Sequence, residues 1–334
     1  MTFSPVRGRV VAALLLLLVS AAAWLSPLAL ADPPLPADAA SPQTIERDAE
    51  KLLFEHPKAF IALALLKYVP AAIGLALLIL EWVRVRDVRR GLLPPFPPLR
   101  PATAPVSVVG AAAAVFVFLA VPTLILQVIA GMDKSAAGMI PVHVAVFAVA
   151  GIPLAIATVV LRRRLVRAGA AGPVPAGPAL RGALRTFCVA TLVSVGAAAI
   201  VMLVLLRFGV PQMSQQLVNQ IAFSPDPLVP LSISTYGVLA APWVEECVFR
   251  GLLQPAIRNR FGVPAGVWVS SLVFTGFHYE FAHGVSNFYA LVPLFVLALF
   301  LARLRDRTDS IMATTVVHAL NNATTIGPLL FLRT

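Results

Sequence analysis

The chain has 334 residues, of which 59% are hydrophobic and 12% charged, with a formal net charge of +11. Soluble domains carry about 25% charged residues, so this composition excludes a water-soluble fold and makes the bilayer the solvent. The excess of basic residues falls in short clusters between apolar runs, the pattern of cytoplasmic loops rather than of a nucleic-acid surface.

In chain order, Arg7 and Arg9 precede a leucine-rich run over 10–30, and Ala29-Leu30-Ala31 stands before Asp32. A basic start, an apolar run and a small-x-small step predict a signal peptide or signal anchor over 1–31. A polar, exported segment over 32–58 follows. Eight apolar segments come next, over 59–83, 105–131, 141–161, 186–206, 229–250, 263–283, 288–302 and 311–332. Each is near the ~20 residues that span a bilayer, the 288–302 run being short. Only helices or closed barrels satisfy the backbone in lipid, and no strand-like alternation is present. The expected fold is therefore all-α, a polytopic transmembrane bundle of about eight spans, with N-terminal helices over 59–228 and a core over 229–334.

The loops orient it. One alternate set carries Arg84, Arg86, Arg89, Arg90 and Arg100, then Arg162, Arg163, Arg164, Arg167, Arg181 and Arg185, then Arg258 and Arg260, then Arg303, Arg305 and Arg307. The opposite set carries Lys134, with Arg207 at a boundary. The arginine-rich side is assigned to the cytoplasm, and the location expected is a bacterial inner membrane. The stretches RGLLPPFPPLRP and AGPVPAGPALRG read as Pro/Gly connectors. Cys188 and Cys247 lie in apolar surroundings without disulfide or metal spacing.

Ionisable groups inside a span are functional candidates because lipid penalises them. Lys67 and Glu81 are assigned structural or partner-helix roles, and His143 an interfacial place. The C-terminal half is denser. In APWVEECVFRG, Glu246 and Arg250 are four apart on one helical face and can pair; Glu245 points about 100° away. In SSLVFTGFHYEF, Phe274 and His278 share a face. Glu245 and His278 lie about equally far, roughly sixteen residues, from a turn at Arg260-Phe261-Gly262, so an antiparallel hairpin of uniform helices sets them at one depth. In VVHALNNATT, His318 and Asn322 are again four apart. A carboxylate beside a histidine in a dry site suits proton abstraction from water, and His and Asn can donate to an oxyanion. The set describes amide hydrolysis by activated water.

EECVFR, FTGFH and HALNN resemble the EExxxR, FxxxH and HxxxN motifs of the CAAX-protease and bacteriocin-processing family of intramembrane endopeptidases. The resemblance implies that Glu245 is the catalytic glutamate, that His278 helps it activate water, that Glu246 and Arg250 brace the site, and that His318 and Asn322 stabilise the oxyanion. Members of the family are described both as glutamate proteases and as metalloproteases. The chain lacks HExxH, which favours a metal-free mechanism with no cofactor; Glu245, His278 and His318 are the zinc ligands if zinc is used. No GxSG or GxGD protease motif occurs. The rival classes are a proton-relay transporter, against which the lack of repeats and broken helices counts, and a non-catalytic membrane immunity or partner protein. The partner expected for the protease is a membrane-tethered protein substrate, carrying a lipidated cysteine or a C-terminal anchor, cut from the outer-leaflet side.

Overall fold

The computed structural model describes residues 68–81, 83–84, 104–132, 140–170, 172–210, 221, 224 and 226–332. The expected leader, the exported segment, Lys67, Lys134 and the first connector lie outside them, as does the His143 side chain. Among the described residues every regular element is helical, as lipid requires.

Helix α1 spans Tyr68–Glu81, α2 Val108–Met132 and α3 Ile140–Arg167. Helix α4, Ala176–Arg207, begins inside the stretch read as a Pro/Gly connector. Pro178 falls in its first turn, where backbone N–H groups have no intrahelical acceptor to lose. Helix α5 runs without a break over 228–261, passing through Leu228–Thr235, a π-helical stretch Tyr236–Ala240, Ala241–Glu245, a second π-helical stretch Glu246–Leu253, and Gln254–Phe261. Gly262, at φ +92°, makes the expected turn into α6, Val263–Gly276. Helix α6 is shorter than the apolar run predicted: the His278 N–H bonds Thr275 O at 3.0 Å, and a 3₁₀ segment, Phe281–Asn287, follows. The Asn287 side chain closes that segment by donating to the carbonyls of Glu280 and Gly284 at 2.6 and 2.9 Å. Helix α7, Phe288–Thr308, outruns its apolar segment because its polar end is buried. Helix α8 is Ile311–Leu332.

Three helical stretches, Val144–Arg167, Ala176–Arg207 and His283–Thr308, are long and apolar enough to cross a bilayer; Tyr68–Glu81, Val108–Pro122 and Val263–Gly276 are apolar but shorter. Their outer faces carry large exposed apolar side chains, such as Val149, Ile200 and Leu203 at 64–70% exposure, which lipid and not water can cover. The molecule is a membrane protein. Its core has two clusters. In the first, Val244, Val248, Phe249 and Leu252 of α5 pack on Val115 and Phe118 of α2, Ala155 of α3 and Phe274 of α6. In the second, Ala183, Phe187 and Ala190 of α4 pack on Leu297, Leu301 and Leu304 of α7 and Val317 of α8. Helix α1 joins through an Arg185–Glu81 ion pair, the partner-helix role expected for Glu81. It also lies so close to α4 that a Cβ at Gly74 would stand 2.2 Å from the Cys188 carbonyl oxygen.

Candidate active site

Each of the two π-helical stretches of α5 stands beside a proline, Pro242 or Pro255, whereas Pro122, Pro153 and Pro293 lie inside regular α-helices. Proline has no N–H, so a helix that meets one must leave a carbonyl without its helical donor. In the first stretch the Ala241 N–H bonds Tyr236 O in the i→i−5 register. The next donor in that series would be Pro242, and the carbonyl left over is that of Gly237. Asn322 Nδ2, from α8, donates to it at 2.8 Å. In the second stretch the Gln254 N–H bonds Phe249 O. The next donor would be Pro255, and the carbonyl left over is that of Arg250. Arg305 Nε, from α7, donates to it at 3.1 Å. Buried backbone acceptors need partners, and here two long-range side chains provide them.

The second π stretch begins at Glu246, and Glu245 ends the α-helical segment before it. Glu246 and Arg250 are fully buried, with Arg250 Nη1 3.4 Å from Glu246 Oε1. Neither Arg250 Nη1 nor Nε has a hydrogen-bond partner among the described residues, so the attraction is Coulombic rather than an aligned hydrogen bond. Arg250 Nη2 donates to Ala298 O at 3.3 Å, and its guanidinium lies 4.4 Å over the Phe274 ring, a cation–π contact. Phe274 also meets His318 edge-on at 5.5 Å and lies 5.0 Å from the His278 ring.

His318 stands between the two carboxylates: its Nδ1 is 3.2 Å from Glu246 Oε1 and its Nε2 3.8 Å from Glu245 Oε2. Exposure separates the pair. The Glu246 side chain is sealed, whereas that of Glu245 is 19% exposed. Glu245 Oε2 makes no hydrogen bond among the described residues.

The structure therefore brings Glu245, Glu246, Arg250 and His318 together, with Asn322 one helical turn along α8. His278 lies past the last residue of α6. It sits on the turn after α6, and its Nδ1 meets its own helix at Phe274 O, 3.0 Å away. The ion-pair contact of Glu245 is to His318. Among the described residues no three His, Cys, Asp or Glu side chains are grouped to hold a metal ion.

Residues 227–324 match the family model described as type II CAAX prenyl endopeptidase, Rce1-like. This segment is similar to the CAAX-protease family. The match covers α5, α6, α7 and the motif-bearing part of α8, and none of α1 to α4. No curated protein and no solved structure matches the chain.

Around the CAAX-protease motifs lies a buried polar cluster that the motif pattern does not contain. Asp306 Oδ1 accepts from Gln254 Nε2 at 3.0 Å and from Arg258 Nη1 at 2.8 Å. Arg305 and Arg162 both pair with Asp309. Arg305, Asp306 and Asp309 are 3–4% exposed, which corrects the reading of Arg305 as a loop charge: mutual pairing allows charges to be buried that singly could not be. The signal available in the sequence was the position of two prolines inside a helix with an interior EExxxR motif.

Proposed function

We propose that the chain is an intramembrane endopeptidase, a multi-pass protein of a bacterial inner membrane with about eight spans, that hydrolyses a peptide bond of a membrane-tethered protein. The observation that carries this reading is the unequal pair of glutamates around one histidine. Glu246 is sealed and balanced by Arg250, so it fixes the ring of His318; Glu245 is open to an incoming water.

In the proposed reaction Glu245 takes a proton from that water as the water oxygen bonds the scissile carbonyl carbon. The glutamate is positioned for general-base work, an effect of about 10²–10⁴ in rate. The charge that develops on the carbonyl oxygen is met by N–H donors, the role assigned to His318 and Asn322; Asn322 keeps a second amide hydrogen beyond the one given to Gly237. Glu245 then returns its proton to the amine nitrogen as the C–N bond breaks. His278, at the open end of α6, is assigned to hold the water or the substrate beside Glu245. No metal takes part in this scheme. The substrate class proposed is an exported protein with a lipidated cysteine or a C-terminal anchor, reached from the outer leaflet.

The test is a comparison of membrane-protein termini between cells carrying the native chain and Glu245→Gln. New C-termini present only with the native chain are expected. An identical set of termini, with the variant inserted at the same level, would sink the protease reading in favour of a non-catalytic membrane partner.

A further inference from the structure

Arg305 and Asp309 belong to none of the three motifs, yet they are buried one helix away from the glutamates. Their bonding is specific. Arg305 uses Nε for the Arg250 carbonyl and Nη1 for Asp309 Oδ1. Asp309, in the left-handed region at φ +53°, pairs through its other carboxylate oxygen with Arg162 of α3. Its carbonyl also accepts from Arg162 Nη2 at 2.8 Å. The guanidinium of Arg305 is thus aimed from two sides at one acceptor, the carbonyl that Pro255 leaves without a helical donor.

That acceptor belongs to the residue that pairs with Glu246. Both ends of Arg250 are consequently tied to α7, the side chain at Ala298 O and the backbone at Arg305. We propose that Arg305, aimed by Asp309, is a positioning residue of the site: by taking the Arg250 carbonyl it holds Glu246–Leu253 in the π-helical register that keeps both glutamates on His318. Reversion of the stretch to uniform α-helix would turn the glutamates by about 100° relative to the α7 anchor. It would also turn Cys247, which is fully buried beside Glu246. The inference rests on the active-site reading above, but its measurement needs no substrate.

The experiment uses the full chain in lipid nanodiscs with Cys188→Ala, so that Cys247 is the sole thiol. The readout is the rate of N-ethylmaleimide labelling well below the thermal transition. The parent is expected to label slowly. Arg305→Lys retains the charge, but one ammonium group cannot replace the planar fork that serves two acceptors; labelling is expected to rise about tenfold, as for loss of one buried hydrogen bond. Asp309→Asn, which unaims Arg305 with little change of shape, is expected to raise it in the same direction. Pro255→Ala added to Arg305→Lys supplies the missing N–H and is expected to return the rate to within about threefold of the parent. Phe187→Leu, in the α4–α7 cluster, controls for general loosening and is expected to leave the rate unchanged.

Unchanged labelling in both Arg305→Lys and Asp309→Asn would overturn the proposal, as would failure of Pro255→Ala to restore protection. An equal rise in Phe187→Leu would do the same. Glu245→Gln separates the two readings: it is expected to abolish cleavage without altering Cys247 labelling, so either result can fail alone.

Discussion

Asn322 Nδ2 donates to the carbonyl oxygen of Gly237 at 2.8 Å, and that carbonyl is the one which Pro242 deprives of a helical donor in the i→i−5 register. The amide of the HxxxN motif is therefore half engaged in holding α8 to α5. Asn322→Leu should orphan the Gly237 carbonyl and cost about 1–3 kcal/mol. Adding Pro242→Ala should recover part of that loss. Unfolding of the three variants in mixed micelles checks the order, and a purely additive pair would contradict the donor accounting.

Glu245→Gln should fold and insert as the native chain does, since its Oε2 makes no hydrogen bond among the described residues and the amide keeps the same shape. Cleavage should fall by at least about 10²-fold. Thermal unfolding and substrate C-termini measured on one preparation give both answers.

Glu246 and Arg250 predict the opposite balance. Their side chains are fully buried, so Glu246→Leu or Arg250→Met alone strands a charge and should cost about 3–5 kcal/mol. The double variant should be milder than either single change, because no unpaired charge remains between those two positions. A double-mutant cycle on unfolding free energy reads the coupling directly.

The α1–α4 contact is set by Gly74, where an added Cβ would lie 2.2 Å from the Cys188 carbonyl oxygen. Small residues permit such close backbone approach between membrane helices. Gly74→Ala should drive α1 away from α4 and break the Arg185–Glu81 pair, while sparing the site on α5. Disulfide trapping between cysteines introduced on α1 and α4 should weaken, with cleavage changed little.

Cleavage should persist after prolonged treatment with a strong chelator, as the metal-free scheme requires. Loss of cleavage that zinc alone restores would replace the scheme with metal-assisted hydrolysis.

The helical membrane character, the turn at Gly262 and the identity of the motif side chains were legible from hydropathy and spacing. Those signals are local. Lipid demands internally satisfied helices wherever apolar residues run on, and an i,i+4 pair such as Glu246–Arg250 stays paired in the folded chain. Equal counting from the turn said nothing of the contact that Glu245 makes with His318 on α8, because that contact comes from a helix outside the hairpin. The arginines at the end of α7 looked like loop charges for a similar reason: a run rich in Arg reads as solvated until its acceptors on other helices are known.

By itself the sequence determined that the chain is helical and membrane-embedded, and that two glutamates, two histidines, an arginine and an asparagine stand where lipid would not tolerate them unpartnered. It also contained the prolines at 242 and 255, each of which withholds one helical donor from α5. Only the tertiary structure decided how that helix accommodates them, through π-helical stretches whose spare carbonyls are taken by Asn322 and Arg305. The same packing decided that His318, and not His278, lies between the glutamates. A proline dictates that a carbonyl will lack its donor; which distant side chain supplies one, and so which way the adjoining residues face, depends on helices packed against it from elsewhere in the chain.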